Sequence, residues 1–187
     1  MTRDELIKFL KDSTEGVSPF QDIKSDDDFV KYYFSRFDEL ALDAFDILLD
    51  ILLEPPDNNI LGRISYDDFE FELEQALEVV GRKDPFNSLR KLRCLLERQK
   101  ARPVIISIIG GLRQNAGFYL LEPVLDLEFL SDDELINLAD AFSEIGGAKA
   151  IELLEKMRLK YSDRSQDLLR NIEICLQRAN HKIKEQG

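Results

Sequence analysis

The chain has 187 residues, of which 44% are hydrophobic and 33% are charged, and its formal net charge is −12. This composition is typical of a globular protein that is long enough to bury a continuous core. The negative charge argues against extended nucleic-acid binding, because an acidic surface repels phosphate backbones. It favours instead a protein partner with a basic surface.

No stretch of the sequence approaches the roughly 18 uninterrupted apolar residues that a membrane-spanning helix needs. The first residues, Met1 to Glu5, lack the basic and then apolar pattern of a secretory signal. We therefore expect a cytoplasmic protein with no membrane partner.

The pattern of apolar residues over 1–64 predicts short amphipathic helices. After a helix that ends near Gly16, a second is expected between residues 25 and 37. A third is expected over residues 38–53, with Leu42 on its apolar face.

From residue 65 onward, a pattern of apolar helix, glycine turn and apolar helix occurs three times. Copies anchored on Val80, Leu112 and Ile145 are separated by 32 and 33 residues. At equal offsets from the anchors lie five apolar columns: Leu73, Ile105 and Leu138; Ala76, Ile108 and Ala141; Phe86, Phe118 and Ile151; Leu89, Leu121 and Leu154; Leu92, Val124 and Met157. A fixed period of this size predicts stacked helix pairs, none of which buries its apolar face alone.

Helix-start and helix-stop signals agree with this period. Capping pairs occur at three places: Thr2 with Glu5, Ser65 with Asp68, and Ser131 with Glu134. Gly110-Gly111 and Gly146-Gly147 are expected to terminate helices. The predicted helices are 66–80, 86–98, 103–113, 117–128, 132–145, 148–161 and 165–183.

In the third copy, the end of one helix and the start of the next contain the residues Ile145, Gly146, Gly147, Ala150, Ile151, Leu153 and Leu154. These residues resemble a HEAT repeat, especially the short bacterial form. The copy at Val80 is similar, whereas Gly110-Gly111 interrupts the helix end at Leu112. The resemblance covers about residues 65–180.

The resemblance to HEAT repeats implies an all-α, right-handed solenoid of antiparallel helix pairs. Residues 1–64 would be its N-terminal helical cap and residues 65–187 its repeats, all within one domain of residues 1–187. HEAT-like proteins usually act as curved binding scaffolds, so the resemblance also implies a protein-binding role.

In a HEAT-like stack, the helix before each glycine turn would line the inner surface. The polar side chains left there after the core positions are removed form a predicted partner-binding column: Glu72, Gln75, Glu78, Asn137, Asp140, Glu144 and Glu173. Stacked carboxylates would suit a basic ligand, although a solvated helix face explains the same pattern. The basic run over residues 82–102, with a balance of +6, is expected to be a solvated outer face.

The sequence predicts no catalytic residue, cofactor site or metal site. His181 is the only histidine, so a histidine-based zinc site or catalytic triad is hard to assemble. Acidic clusters such as Asp67-Asp68 fall in first helical turns, where they complement the helix dipole. Cys94 and Cys175 are expected to be buried core thiols.

We therefore expect a non-enzymatic, acidic protein-binding module of undetermined oligomeric state. A concrete version is an inhibitor of a basic effector, such as an immunity protein that neutralises a nuclease toxin. Two alternatives stay open. One is a bilin lyase or chromophore chaperone, which some HEAT-like proteins resemble, and the other is a structural adaptor in a larger assembly.

Overall fold

The computed structural model describes residues 1–15 and 35–186, and these residues form an all-α structure with no strand among them. The all-α prediction is confirmed to that extent. The helices are α1 Arg3–Glu15, α2 Ala44–Leu53, α3 Asn58–Leu61, α4 Tyr66–Gly81, α5 Pro85–Arg93, α6 Arg102–Gly111, α7 Ala116–Leu121, a 3₁₀ helix Glu122–Asp126, α8 Asp132–Ile145, α9 Gly147–Lys160 and α10 Gln166–Gln186. Most of the helix predicted between residues 25 and 37 lies outside the described residues.

The chain divides into two compact units, Met1–Asp84 and Pro85–Gly187. The boundary falls after Asp84 rather than after residue 64. The first predicted helix pair is therefore shared between the units, with α4 in the first and α5 in the second. The single domain of residues 1–187 stays a prediction.

In the first unit, α1 and α2 pack against α4 and against each other. The Ser65 side chain caps α4 by accepting a hydrogen bond of 3.1 Å from the Asp68 backbone N–H. Phe45 of α2 and Phe69 of α4 are fully buried aromatic side chains of this core. Leu42 does not join it: α2 begins only at Ala44, and Leu42 in the preceding turn is 42% exposed.

In the second unit, α6 packs against α8, α8 packs against α10, and α9 packs against both α8 and α10. The column residues of α6, α8 and α9 are largely buried in this unit, among them Ile105, Ile108, Leu138, Ala141, Leu154 and Met157. Val80, in the first unit, and Leu112 are buried, whereas Ile145 is partly exposed. Helices α6, α8 and α10 thus form a row within this unit.

The start and end of α8 match the prediction residue for residue. Ser131 and Glu134 form a complete capping box, in which each side chain accepts from the other residue's backbone N–H. At the other end, Gly146 and Gly147 have φ of 77° and 81°. Glycine adopts this left-handed backbone without steric cost, so α9 follows α8 after a single residue.

Helix α6 ends at Gly111, two residues before the predicted end at residue 113, but neither Gly110 nor Gly111 adopts the left-handed conformation of a glycine cap. Helix α6 continues through both residues, and the chain turns at Arg113, whose φ is 54°. A Cβ atom on Gly110 would lie 2.5 Å from the Ala141 Cα. Gly110 therefore allows the backbones of α6 and α8 to approach closely.

Helix α5 is shorter than predicted, and two expectations fail with it. The helix ends at Arg93 rather than residue 98, so Cys94 lies in a turn and is exposed instead of buried. Phe86 is 71% exposed because it lies in the first turn, ahead of the buried side chains of this helix.

Candidate functional site

The predicted polar column begins on α4 in the first unit, and two of its three members there are buried. Glu72 is 4% exposed and pairs with Arg36 at 2.5 Å. Glu78 is 9% exposed and pairs with Arg82, one turn further along, at 2.9 Å. Gln75 is partly exposed. These two carboxylates are neutralised within the protein and are not offered to solvent as the column prediction assumed.

On α8, the column residues bond to the helices on either side. The Asn137 Nδ2 atom donates to the Pro103 carbonyl of α6 at 3.2 Å. Asp140 accepts from three side chains of α10: Asn171 at 3.4 Å, Cys175 at 3.2 Å and Arg178 at 3.3 Å. The structure therefore uses these residues to connect successive helices of the row.

The last two column residues are also paired. Glu144 lies 2.9 Å from the Arg113 guanidinium and 3.5 Å from the Lys182 ammonium. Glu173, half-exposed on α10, lies 3.5 Å from the Arg158 guanidinium of α9. Asp140, Glu144 and Glu173 all keep substantial solvent contact, and each has a basic neighbour.

The thiol of Cys175 is part of this network. The side chain is fully buried, and its Sγ donates to Asp140 Oδ1. Burial, reinforced by the negative charge of Asp140, raises the pKa of Cys175 to about 12. The thiol is therefore protonated at neutral pH, which makes it a structural donor rather than a nucleophile.

A separate acidic surface lies on α2, outside the predicted column. Asp46 and Asp50 lie within the helix and Asp43 and Glu54 are its two cap residues; all four are exposed and follow one another at helical spacing. The opposite side of α2 is buried through Phe45, Leu48 and Ile51, among others. We refer to the four acidic residues as the acidic face of α2.

The second unit contains an apolar groove of about 680 Å³. One wall comes from the end of α5 and the turn after it, with Arg93, Leu96 and Glu97. The other comes from α7, the 3₁₀ helix and the residue after it, with Tyr119, Leu120, Pro123, Val124 and Leu127. Tyr119 is 83% exposed and Leu127 is 42% exposed. An aromatic ring this exposed beside apolar walls is typical of an interaction surface.

The groove was not predicted from the sequence, although a signal for it was present. Tyr119 lies next to the column residue Phe118 and belongs to no apolar column. A large aromatic side chain outside the repeat pattern has no core position assigned to it, so its exposure could have been anticipated. The shape of the groove could not, because it depends on where α5 ends.

The described residues offer no arrangement that suggests catalysis. They contain no group of three or more His, Cys, Asp or Glu side chains placed to hold a metal ion. Likewise, no helix among them has the length and apolar character to span a membrane. The surface features considered further are the acidic face of α2 and the apolar groove.

Comparisons of the chain with protein-family models, with curated proteins and with solved structures gave no match.

Proposed function

We propose that this chain is a non-enzymatic binding protein that recognises a basic protein through its first unit. The observation that carries the proposal is the acidic face of α2. Its four carboxylates point to solvent along one side of a helix whose other side is held in the core. A rigid row of like charges raises the encounter rate with a cationic surface and orients it.

The charge of the whole first unit supports this assignment. Residues 1–84 contain nine basic and 22 acidic side chains, a balance of −13. Residues 85–187 contain 16 basic and 15 acidic side chains, a balance of +1. The net charge that attracts a basic partner therefore belongs to the first unit.

The proposal includes the architecture and a biological role. The row of α6, α8 and α10, with α9 packed beside it, agrees with a HEAT-like solenoid of helix pairs. A binding scaffold of that kind with a strongly acidic unit suits an inhibitor of a basic effector, such as an immunity protein.

The experiment compares three forms of the full chain as baits in a pull-down from the native source. They are the wild type, the triple variant Asp43→Asn, Asp46→Asn and Asp50→Asn, and a control with equal charge change, Glu128→Gln, Asp133→Asn and Asp163→Asn. The control residues are exposed carboxylates of the second unit. Captured proteins are identified by mass spectrometry at ~50 and ~500 mM salt.

We expect the wild type and the control to retain the same basic protein at low salt, and the triple variant to lose most of it. High salt should release the protein from both. Retention that is equal for all three baits, or that does not change with salt, would contradict the proposal.

A further inference from the structure

The groove between α5 and α7 has two chemically different walls. The α5 side is basic: residues 85–102 carry six basic side chains and one acidic, Glu97. Arg93 lines the groove itself and is exposed, and Arg98 and Lys100 in the adjoining turn are exposed as well. Arg102 contributes little free charge, since it pairs with the buried Glu134 at 2.9 Å.

The opposite wall is apolar. Residues 116–127 contain two acidic side chains and no basic one. Both acids are already paired with lysines of α9, Glu122 with Lys149 at 3.3 Å and Asp126 with Lys156 at 3.8 Å. The wall itself is lined by apolar side chains and Tyr119, and its most exposed members are Tyr119, Pro123 and Leu127.

From this geometry we propose that the groove binds a short acidic peptide with apolar anchor side chains. Carboxylates on one side of the peptide meet Arg93 and the basic turn, and leucine- or phenylalanine-like side chains on the other side pack against Tyr119 and Leu127. The walls complement an amphipathic acidic helix in both charge and polarity. The exposed rim favours a peptide over a small molecule, because small-molecule sites bury most of their ligand. This ligand has the opposite charge to the partner proposed for the first unit.

The test uses three labelled synthetic peptides of equal length and the full chain, with binding followed by fluorescence anisotropy. The first peptide has glutamates on one helical side and leucines at three- and four-residue spacing on the other. The second has lysines in place of the glutamates, and the third has serines in place of the leucines. We expect the first to bind on the order of tenfold more tightly than either of the others at ~50 mM salt, with its advantage over the lysine peptide shrinking at ~500 mM.

Two groove variants and two matched controls locate the binding. Tyr119→Ala and Arg93→Glu should each weaken the first peptide on the order of tenfold. Leu159→Ala removes an exposed apolar side chain of α9, and Arg170→Glu reverses an exposed charge of α10. Neither control lies on the groove, so both should bind as the wild type does.

Two outcomes would overturn the proposal. The first is equal binding of the glutamate and lysine peptides, or equal binding by the groove variants and the controls. The second is a concentration-dependent dimer in sedimentation equilibrium that Tyr119→Ala abolishes, because the groove would then be occupied by a second copy of the chain.

Discussion

The two units handle their acidic side chains in different ways. The column carboxylates of both units pair with basic side chains, but only the first unit also carries an exposed row of carboxylates along α2. The first unit also has the larger excess of acidic over basic residues, with a net charge of −13 against +1 for the second unit. Exposed carboxylates of like charge contribute little to stability. Paired carboxylates connect neighbouring helices, and their contribution to stability depends on how deeply the pair is buried.

The largest effect is expected in the rates at which the two cysteines react with a thiol reagent. Cys94 is exposed in a turn, while Cys175 is buried and donates to Asp140. At pH 8 a thiol-reactive dye should label Cys94 directly and reach Cys175 only through unfolding, more slowly by roughly a thousandfold or more. Mass spectrometry of the labelled peptides distinguishes the two sites. Comparable rates at both would show that the Asp140 network is open to solvent.

Stability should also depend on the pH through Cys175. Its folded-state pKa of about 12 lies above the ordinary value of 9.0. The buried thiol therefore contributes its full stability below pH 9 and loses it as the pH rises toward 12. Denaturant unfolding at pH 8 and pH 10 should show a smaller loss of unfolding free energy for Cys175→Ala than for the wild type.

The internal ion pair between Arg102 and Glu134 should matter most for the free energy of unfolding. The two side chains are 11% and 6% exposed. Arg102→Leu would leave the Glu134 charge buried and should cost about 3 kcal/mol in urea unfolding. The exposed pair of Arg158 and Glu173 is the control, and Arg158→Ala should cost less than about 1 kcal/mol. Equal losses of unfolding free energy in the two variants would mean that burial does not make the Arg102–Glu134 pair more important than the Arg158–Glu173 pair.

The close approach of α6 and α8 gives the next prediction. Gly110→Ala places a Cβ atom 2.5 Å from the Ala141 backbone, which should cost about 2 kcal/mol despite the better helix propensity of alanine. Gly117→Ala is the matched control. The two atoms closest to its Cβ atom would be side-chain methyl groups of Ile145 and Ile109, at 3.0 and 3.1 Å, with the Ile109 carbonyl oxygen at an ordinary 3.6 Å. The methyl groups can shift, so thermal unfolding should change less there.

The smallest effect is expected for the acidic face of α2. The triple variant Asp43→Asn, Asp46→Asn and Asp50→Asn removes like charges at helical spacing, whose mutual repulsion costs a few tenths of a kcal/mol per pair. The unfolding free energy should stay within about 0.5 kcal/mol of the wild type. A large loss of unfolding free energy would show that these carboxylates stabilise the first unit, which would contradict the difference proposed between the two units.

The local features of the fold were predictable from the sequence. The boundaries of α8 follow from Ser131, Glu134 and the two glycines after Ile145, all of which act within a few residues. The burial of the apolar columns was predictable for a similar reason. The helical spacing of apolar residues identifies the buried side of a helix, whichever helix it packs against. Among the described column residues, Phe86 is the clear exception, because the first turn of α5 lies outside the buried contact.

The non-local features were not predictable. The carboxylate of Asp140 meets partners 31 to 38 residues away, and those pairings exist only once α8 and α10 are packed. The role of Gly110 was not predictable for the same reason, because it depends on how α6 packs against α8. In a single sequence, a glycine needed for close packing cannot be told from a glycine that ends a helix. The exposure of Tyr119 was signalled, but its groove required the observed end of α5.

The junction of α8 and α9 has a consequence for how the chain folds. With only Gly146 between the two helices and two left-handed glycines setting their direction, the hairpin needs almost no loop closure. Contacts so near in sequence form fastest. We therefore expect residues 131–160 to act as the nucleus of the second unit, onto which α6 and α10 assemble.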